Sequence, residues 1–184
     1  MKIISPALAL VLVLLMAGCT GAFKPVDTAA MPPGFIPPGD PDIAALFEAE
    51  TAFPPGAPRP ATPQAIARAV ADVDYTAGAF NTHIRWWGTL NPGAQEQMLI
   101  ARREIRAAVG IAPDALSQDV VNALLAASTA PDQQALLTAL ANPVFTLGPQ
   151  ATLDRLTNMP RLATTPYALI HIDQSRFGPY EDNL

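Results

Sequence analysis

Apolar side chains recur along the C-terminal two thirds of the chain at spacings of three and four, the period of a helix with one buried face. The longest such run begins at Thr62-Pro63. Ile66, Val70, Val73, Ala77, Phe80, Ile84 and Trp87 form one stripe, which predicts a helix over 63–89 with Arg68, Asp72 and Asn81 turned away from it. Gly78 lies inside this run, where it weakens the helix but permits a close crossing. Asn91-Pro92-Gly93 then turns the chain into a second helix over 92–109, with Met98, Ala101, Ile105 and Ala108 inward. Gly110 is placed as its stop, and Ile111 is placed to fold back over the last turn. These two helices are expected to pair as an antiparallel hairpin.

Shorter apolar segments follow, each introduced by helix-start chemistry. Ser117 is set to cap a segment in which Val120, Val121, Leu124 and Leu125 point inward. After Ala130-Pro131, Leu136, Leu137 and Leu140 repeat the pattern, and Leu153 and Leu156 repeat it again within 149–158. Proline at a first helical position is pre-organised for the turn. The recurrence of such starts at Pro113, Pro131, Pro149 and Pro166 leaves a solenoid of helical pairs conceivable. Residues 167–173 alternate as a strand would, yet have no partner strand, so a helix over about 166–177 is preferred. The fold class is all-α, a small bundle of five to seven helices over 62–178, followed by a tail at 179–184.

Ahead of the bundle the composition changes. Residues 25–63 hold eleven of the twenty prolines, and such a run reads as extended or irregular linker. Residues 19–61 are accordingly expected to form a tether, able to reach roughly 100 Å in a polyproline conformation. Its one interruption is a short helix over about 41–52, capped by Asp40, started by Pro41 and carrying Ile43, Leu46 and Phe47 on one face.

The first nineteen residues have a different pattern again. Lys2 precedes an uninterrupted apolar run from Ala7 to Ala17, and small residues lead into Cys19, the chain's single cysteine. A positive start, a short apolar core and small residues at the cut describe a secretory signal peptide. The run is well short of the ~20 residues that span a bilayer. Leu15-Met16-Ala17-Gly18-Cys19 resembles the lipobox of bacterial lipoprotein precursors, with Met16 where leucine is usual. The resemblance implies that residues 1–18 are removed and that Cys19 carries a diacylglycerol and an acylated amine. Such chains together would anchor the protein stably. Thr20 is not the aspartate associated with inner-membrane retention, so the periplasmic face of the outer membrane is the expected address. No family is recognised for the mature domain.

Charge narrows the partners. The formal net charge is −5, and loss of Lys2 with the leader makes it one unit more acidic. This argues against nucleic acid, which needs clustered cations, and against electrostatic adhesion to anionic headgroups. With Cys19 acylated no thiol remains, which excludes disulfides, cysteine catalysis and zinc–cysteine sites. No cofactor and no metal site is expected. G-x-S-x-G, H-E-x-x-H, the phosphate-binding loop and the dinucleotide fingerprint are all absent.

What remains is a set of candidate contact residues, with no catalytic residue among them. His83-Ile84-Arg85-Trp86-Trp87 is the most suggestive cluster, read as helix-pair packing or as a groove against Trp86. His83 and Trp87 are four apart and would stack on a helix. Arg102, Arg103 and Arg106 form a basic patch, read as a helix face paired to Asp72 or Asp74, or as a surface for an anionic partner. His171 and Asp173 would share a side only in a strand and lack further ligands. Asp72 and Asp74, and likewise Glu48 and Glu50, diverge on helices, which disfavours a two-carboxylate hydrolase. The reading is of an anchored envelope protein, accessory or assembly in role, that binds a protein partner through a helical surface. The alternative is a carrier of a small glycan, peptide or acyl ligand, and the third is a cell-wall hydrolase.

Overall fold

The computed structural model describes residues 26–36, 38–56 and 61–177. Among these residues seven α-helices run in order: α1 (Pro41–Ala52), α2 (Pro63–Thr82), α3 (Pro92–Val109), α4 (Ser117–Ser128), α5 (Gln133–Ala139), α6 (Pro149–Thr157) and α7 (Thr165–Ser175). Among the described residues there is no β-strand, only a single bridge between Ile111 and Phe145. The all-α bundle expected from the periodicity is the fold, and 165–175 is a helix. The leader, Cys19 and the tail lie outside the described residues.

The bundle is built around α2, which packs against α1, α3, α4 and α6. Contacts between side chains set the directions. Asp42 and Glu48 of α1 meet Tyr75 and Arg68 of α2, respectively. Gln95 and Arg106 of α3 meet Phe80 and Asp74. On α4 the order also runs backwards, with Ala130 beyond its end opposite Gln64. All three neighbours are thus antiparallel to α2, and the α2–α3 hairpin forms as expected. Helix α7 lies antiparallel on α3, through Thr165 with Glu104 and His171 with Gln97.

Because α2 is covered on several sides, most of its surface is buried, Asp72, Asp74 and Thr76 included. The expectation that Asp72 faces outward is therefore corrected. A helix enclosed all round has no polar face, and its carboxylates must find partners inside.

Helix α2 also ends sooner than its stripe suggested, at Thr82 and not at 89. Neither Gly nor Pro stops it. Asn81 Nδ2 and Thr82 Oγ1 bond back to Ala77 O and Gly78 O within the last turn, and Gln95 Nε2 satisfies the Phe80 O left open at the end. His83 then turns extended, and residues 84–86 form one 3₁₀ turn. Ile84 and Trp87, expected in the buried stripe, are exposed, and Trp86 instead packs edge-on against Phe80 at 5.3 Å. With the helix broken at His83, the expected His83–Trp87 stack does not form.

The bundle also includes residues that composition assigned to the linker. Ala29 and Met31 are buried in the core. Gln118 pairs with both backbone groups of Ala30, accepting at 2.8 Å and donating at 3.1 Å. The segment crosses α2 at Gly78, where a Cβ would sit 2.8 Å from the Thr28 Cα. The close crossing that Gly78 permits is thus made by this strap, not by a helix. Helix α1 docks as well, with Leu46 and Ala49 buried against the rest. Proline here shapes a path over the bundle surface, because buried contacts hold it there.

Candidate functional site

The residues of the aromatic cluster converge on one carboxylate that the sequence reading did not single out. Asp40 caps α1, accepting from the backbone N–H groups of Asp42 and Ile43. This turns the fully buried Asp42 towards α2. Tyr75 donates its hydroxyl to Asp42 Oδ1 at 2.5 Å. On Oδ2, His83 Nδ1 donates at 2.9 Å, Trp86 Nε1 at 2.8 Å and Arg85 Nε at 3.1 Å. Arg85 also reaches Asp40 with Nη1 at 2.7 Å and Nη2 at 2.6 Å. Its guanidinium stacks over the Trp86 ring at 4.8 Å.

The electrostatics follow from these partners. Burial raises the proton affinity of Asp42, but hydrogen bonds from Tyr75, Arg85, Trp86 and His83 outweigh it and hold its pKa below the usual value. Burial and the bond to Asp42 push the Tyr75 hydroxyl up. Arg85 is raised as well: burial opposes, while Asp42 and Asp40 more than compensate. A carboxylate that holds four donors and is kept ionised by them is poorly suited to take a substrate proton. The Asp42 cluster is a latch joining α1, α2 and the turn after α2.

The arginine patch divides in the same way. Arg106 grips the buried Asp74 in a bidentate pair, Nε to Oδ2 at 2.6 Å and Nη2 to Oδ1 at 2.9 Å. Its remaining donors reach Ser117 Oγ at 3.0 Å, Ala115 O at 2.8 Å and Pro113 O at 3.4 Å. Arg102 donates to Ser117 Oγ at 2.9 Å and to Asp27 O at 2.7 Å. Burial lowers its pKa, with Asp74 acting the other way. Asp27 in turn accepts from the Ser117 N–H at 2.6 Å. The expectation that Ser117 caps α4 is corrected: Leu116 stands at the cap and Ser117 is the first helical residue, so Asp27 satisfies its N–H while its hydroxyl accepts from the two arginines. Of the three arginines only Arg103 faces solvent, 3.8 Å from Glu96.

His171 and Asp173 part company on α7. His171 Nδ1 lies 2.8 Å from Gln97 Oε1, whereas Asp173 pairs with Arg176. Glu48 and Asp72, never considered together from the sequence, meet across α1 and α2 through Arg68. Among the described residues, no three His, Cys, Asp or Glu side chains are grouped to hold a metal ion.

After the latch and the ion-pair network are accounted for, the turn between α2 and α3 leaves two large apolar side chains in solvent. Ile84 is 77% exposed and Trp87 65%. Both sit on a backbone whose neighbours, His83, Arg85 and Trp86, are fastened to Asp42. No family model, curated protein or solved structure matches this chain. The turn's own chemistry is therefore the guide to its use.

Proposed function

We propose that this protein is a lipid-anchored accessory or assembly protein of the cell envelope that grips a protein partner through the Ile84–Trp87 turn. The supporting observation is the pairing of exposure with rigidity at that turn. Exposed tryptophan is costly to leave in water and is enriched among residues that dominate binding energy. A turn already held in place loses little further conformational freedom on binding. The buried Asp42 and Asp74 are each held by their own donors, which favours a structural use for these two carboxylates.

The anchor belongs to the same reading. With Cys19 acylated and the strap docked from Val26 onward, residues 20–26 would be the whole spacer. At most they reach about 25 Å, far less than a free linker over 19–61. The partner would then itself be close to the membrane surface, at the periplasmic face of the outer membrane. No helix among the described residues is long and apolar enough to cross a membrane.

Replacing Ile84 and Trp87 together by alanine tests the reading. Both are exposed, so thermal unfolding should stay unchanged while recovery of the crosslinked partner from native membranes falls at least tenfold. Undiminished recovery would rule the turn out. Loss of binding to partner-free lipid vesicles in the double variant would make it a membrane contact instead.

A further inference from the structure

Where the strap crosses α2 it leaves a pocket of about 470 Å³, bounded also by the start of α1 and by Gln118 of α4. That volume is in the range of small-molecule sites. Ala29, Ala30 and Met31 of the strap form one side, and Ile36, Pro41 and the Tyr75 ring continue the apolar wall. Ile36 is half exposed, so a ligand here would take apolar surface out of water. Among the described residues no Asp, Glu, Lys or Arg lines the pocket. Trp86, the wall considered from the sequence, does not line it either, whereas His83 does.

The latch sets the orientation of His83. An ionised Asp42 only accepts, so the Nδ1 that lies 2.9 Å from its Oδ2 carries a proton. In the neutral ring Nε2 is then left as a lone-pair acceptor. A carboxylate on one ring nitrogen is the usual means of fixing a histidine tautomer for use of the other. The two nitrogens point nearly opposite ways, so an Nδ1 turned in to the buried carboxylate leaves Nε2 turned out. The His83 side chain is 37% exposed, and Nε2 has no partner among the described residues. Gln118 spends its amide protons on Ala30 O and Asn122 Oδ1, and the Tyr75 hydroxyl is given to Asp42. Apart from the Thr28 hydroxyl, the polar side chains of this pocket therefore offer acceptors and no free donor.

We propose that this pocket binds a small neutral molecule with an apolar body and one hydroxyl or N–H group, which donates to His83 Nε2. The ring is already oriented by Asp42, so little freedom is lost when that bond forms. The strap side chains Ala29, Ala30 and Met31 would cover the apolar body. A charged ligand fits less well: the lining holds no cation for an anion and no carboxylate for an ammonium, and either would leave water without a counter-charge. The site is separate from the Ile84–Trp87 contact and does not depend on it.

NMR of the full mature chain in mildly alkaline buffer, observing methyl groups and histidine ring nitrogens, tests this with para-cresol. The control para-methylanisole has the same body without the donor, and para-toluate is the anionic control. Para-cresol should shift the Met31 and Ile36 methyls and His83 Nε2 saturably. It should bind about fivefold tighter than para-methylanisole, the worth of one neutral hydrogen bond, and tighter than para-toluate. His83→Asn keeps an N–H donor for Asp42 but lacks Nε2, so para-cresol should fall to the affinity of para-methylanisole. Should that variant fold poorly, Ala30→Leu fills the pocket from the strap without touching the latch and should weaken both neutral probes. Equal affinity of para-cresol and para-methylanisole, tighter binding of para-toluate, unchanged para-cresol binding in either variant or no saturable shift overturns the proposal.

Discussion

Three fully buried aspartates, Asp42, Asp72 and Asp74, hold the key to how this chain uses polar residues. Asp42 collects donors from three side chains of one turn and from Tyr75. Asp74 takes a bidentate arginine, and Asp72 shares one. Arg106→Ala should therefore destabilise the protein by about 3–5 kcal/mol in denaturant unfolding, since it strands a buried charge. A loss under 1 kcal/mol would mean that Asp74 is not held as described. Pairing of the arginines with an aspartate of the preceding helix was legible in the sequence, because the two helices had to be neighbours. Which arginine would be buried was not, for it depends on Asp27 and Ser117 arriving from remote segments. The Asp42 cluster was equally out of reach: Asp42 lies more than thirty positions from each of its four donors. A weaker signal existed on α2, where apolar residues on every side implied that its carboxylates must be paired internally.

Helix boundaries show where local rules suffice. Helix α3 begins and ends where the sequence places it, since Asn91, Pro92 and Gly110 impose their geometry locally. Gly110 indeed takes a left-handed φ of 79°, with Ile111 bonded back to Arg106 O and buried. The end of α2 has no such punctuation. It is imposed by Asp42, whose bonds to His83, Arg85 and Trp86 would be lost if the helix continued. The strap over 26–31 is a third case, invisible to composition because eleven prolines in 25–63 mask a few buried side chains. Gly78→Ala separates the two effects that act there. In an exposed helix the change would stabilise by about 1 kcal/mol. Here the new methyl meets the Thr28 backbone, so the melting temperature should fall and amide exchange at Ala29, Ala30 and Met31 should rise. A higher melting temperature with unchanged exchange would refute the crossing.

At the scale of the whole molecule, an α-helical body is wrapped by its own N-terminal segment and carries one rigid apolar turn. The strap ties the fate of the body to the chain that would lead to Cys19, because Asp27 both satisfies the start of α4 and holds Arg102. The turn bearing Ile84 and Trp87 is fastened through Asp42 to α1, and α1 is reached through that same strap. Strap, α1 and turn are thus mechanically continuous, which would suit the proposed role of presenting one surface close to a membrane. If that turn is a contact surface, the acidic balance of the chain favours hydrophobic contact there over charge attraction to anionic lipid. The most direct test places a photo-reactive amino acid at position 87 in living cells and compares the wild-type anchor with Cys19→Ala. A single protein adduct that requires Cys19 is the predicted result. Adducts to lipid alone, or to the same protein with and without Cys19, would contradict an anchored module that meets its partner through this turn.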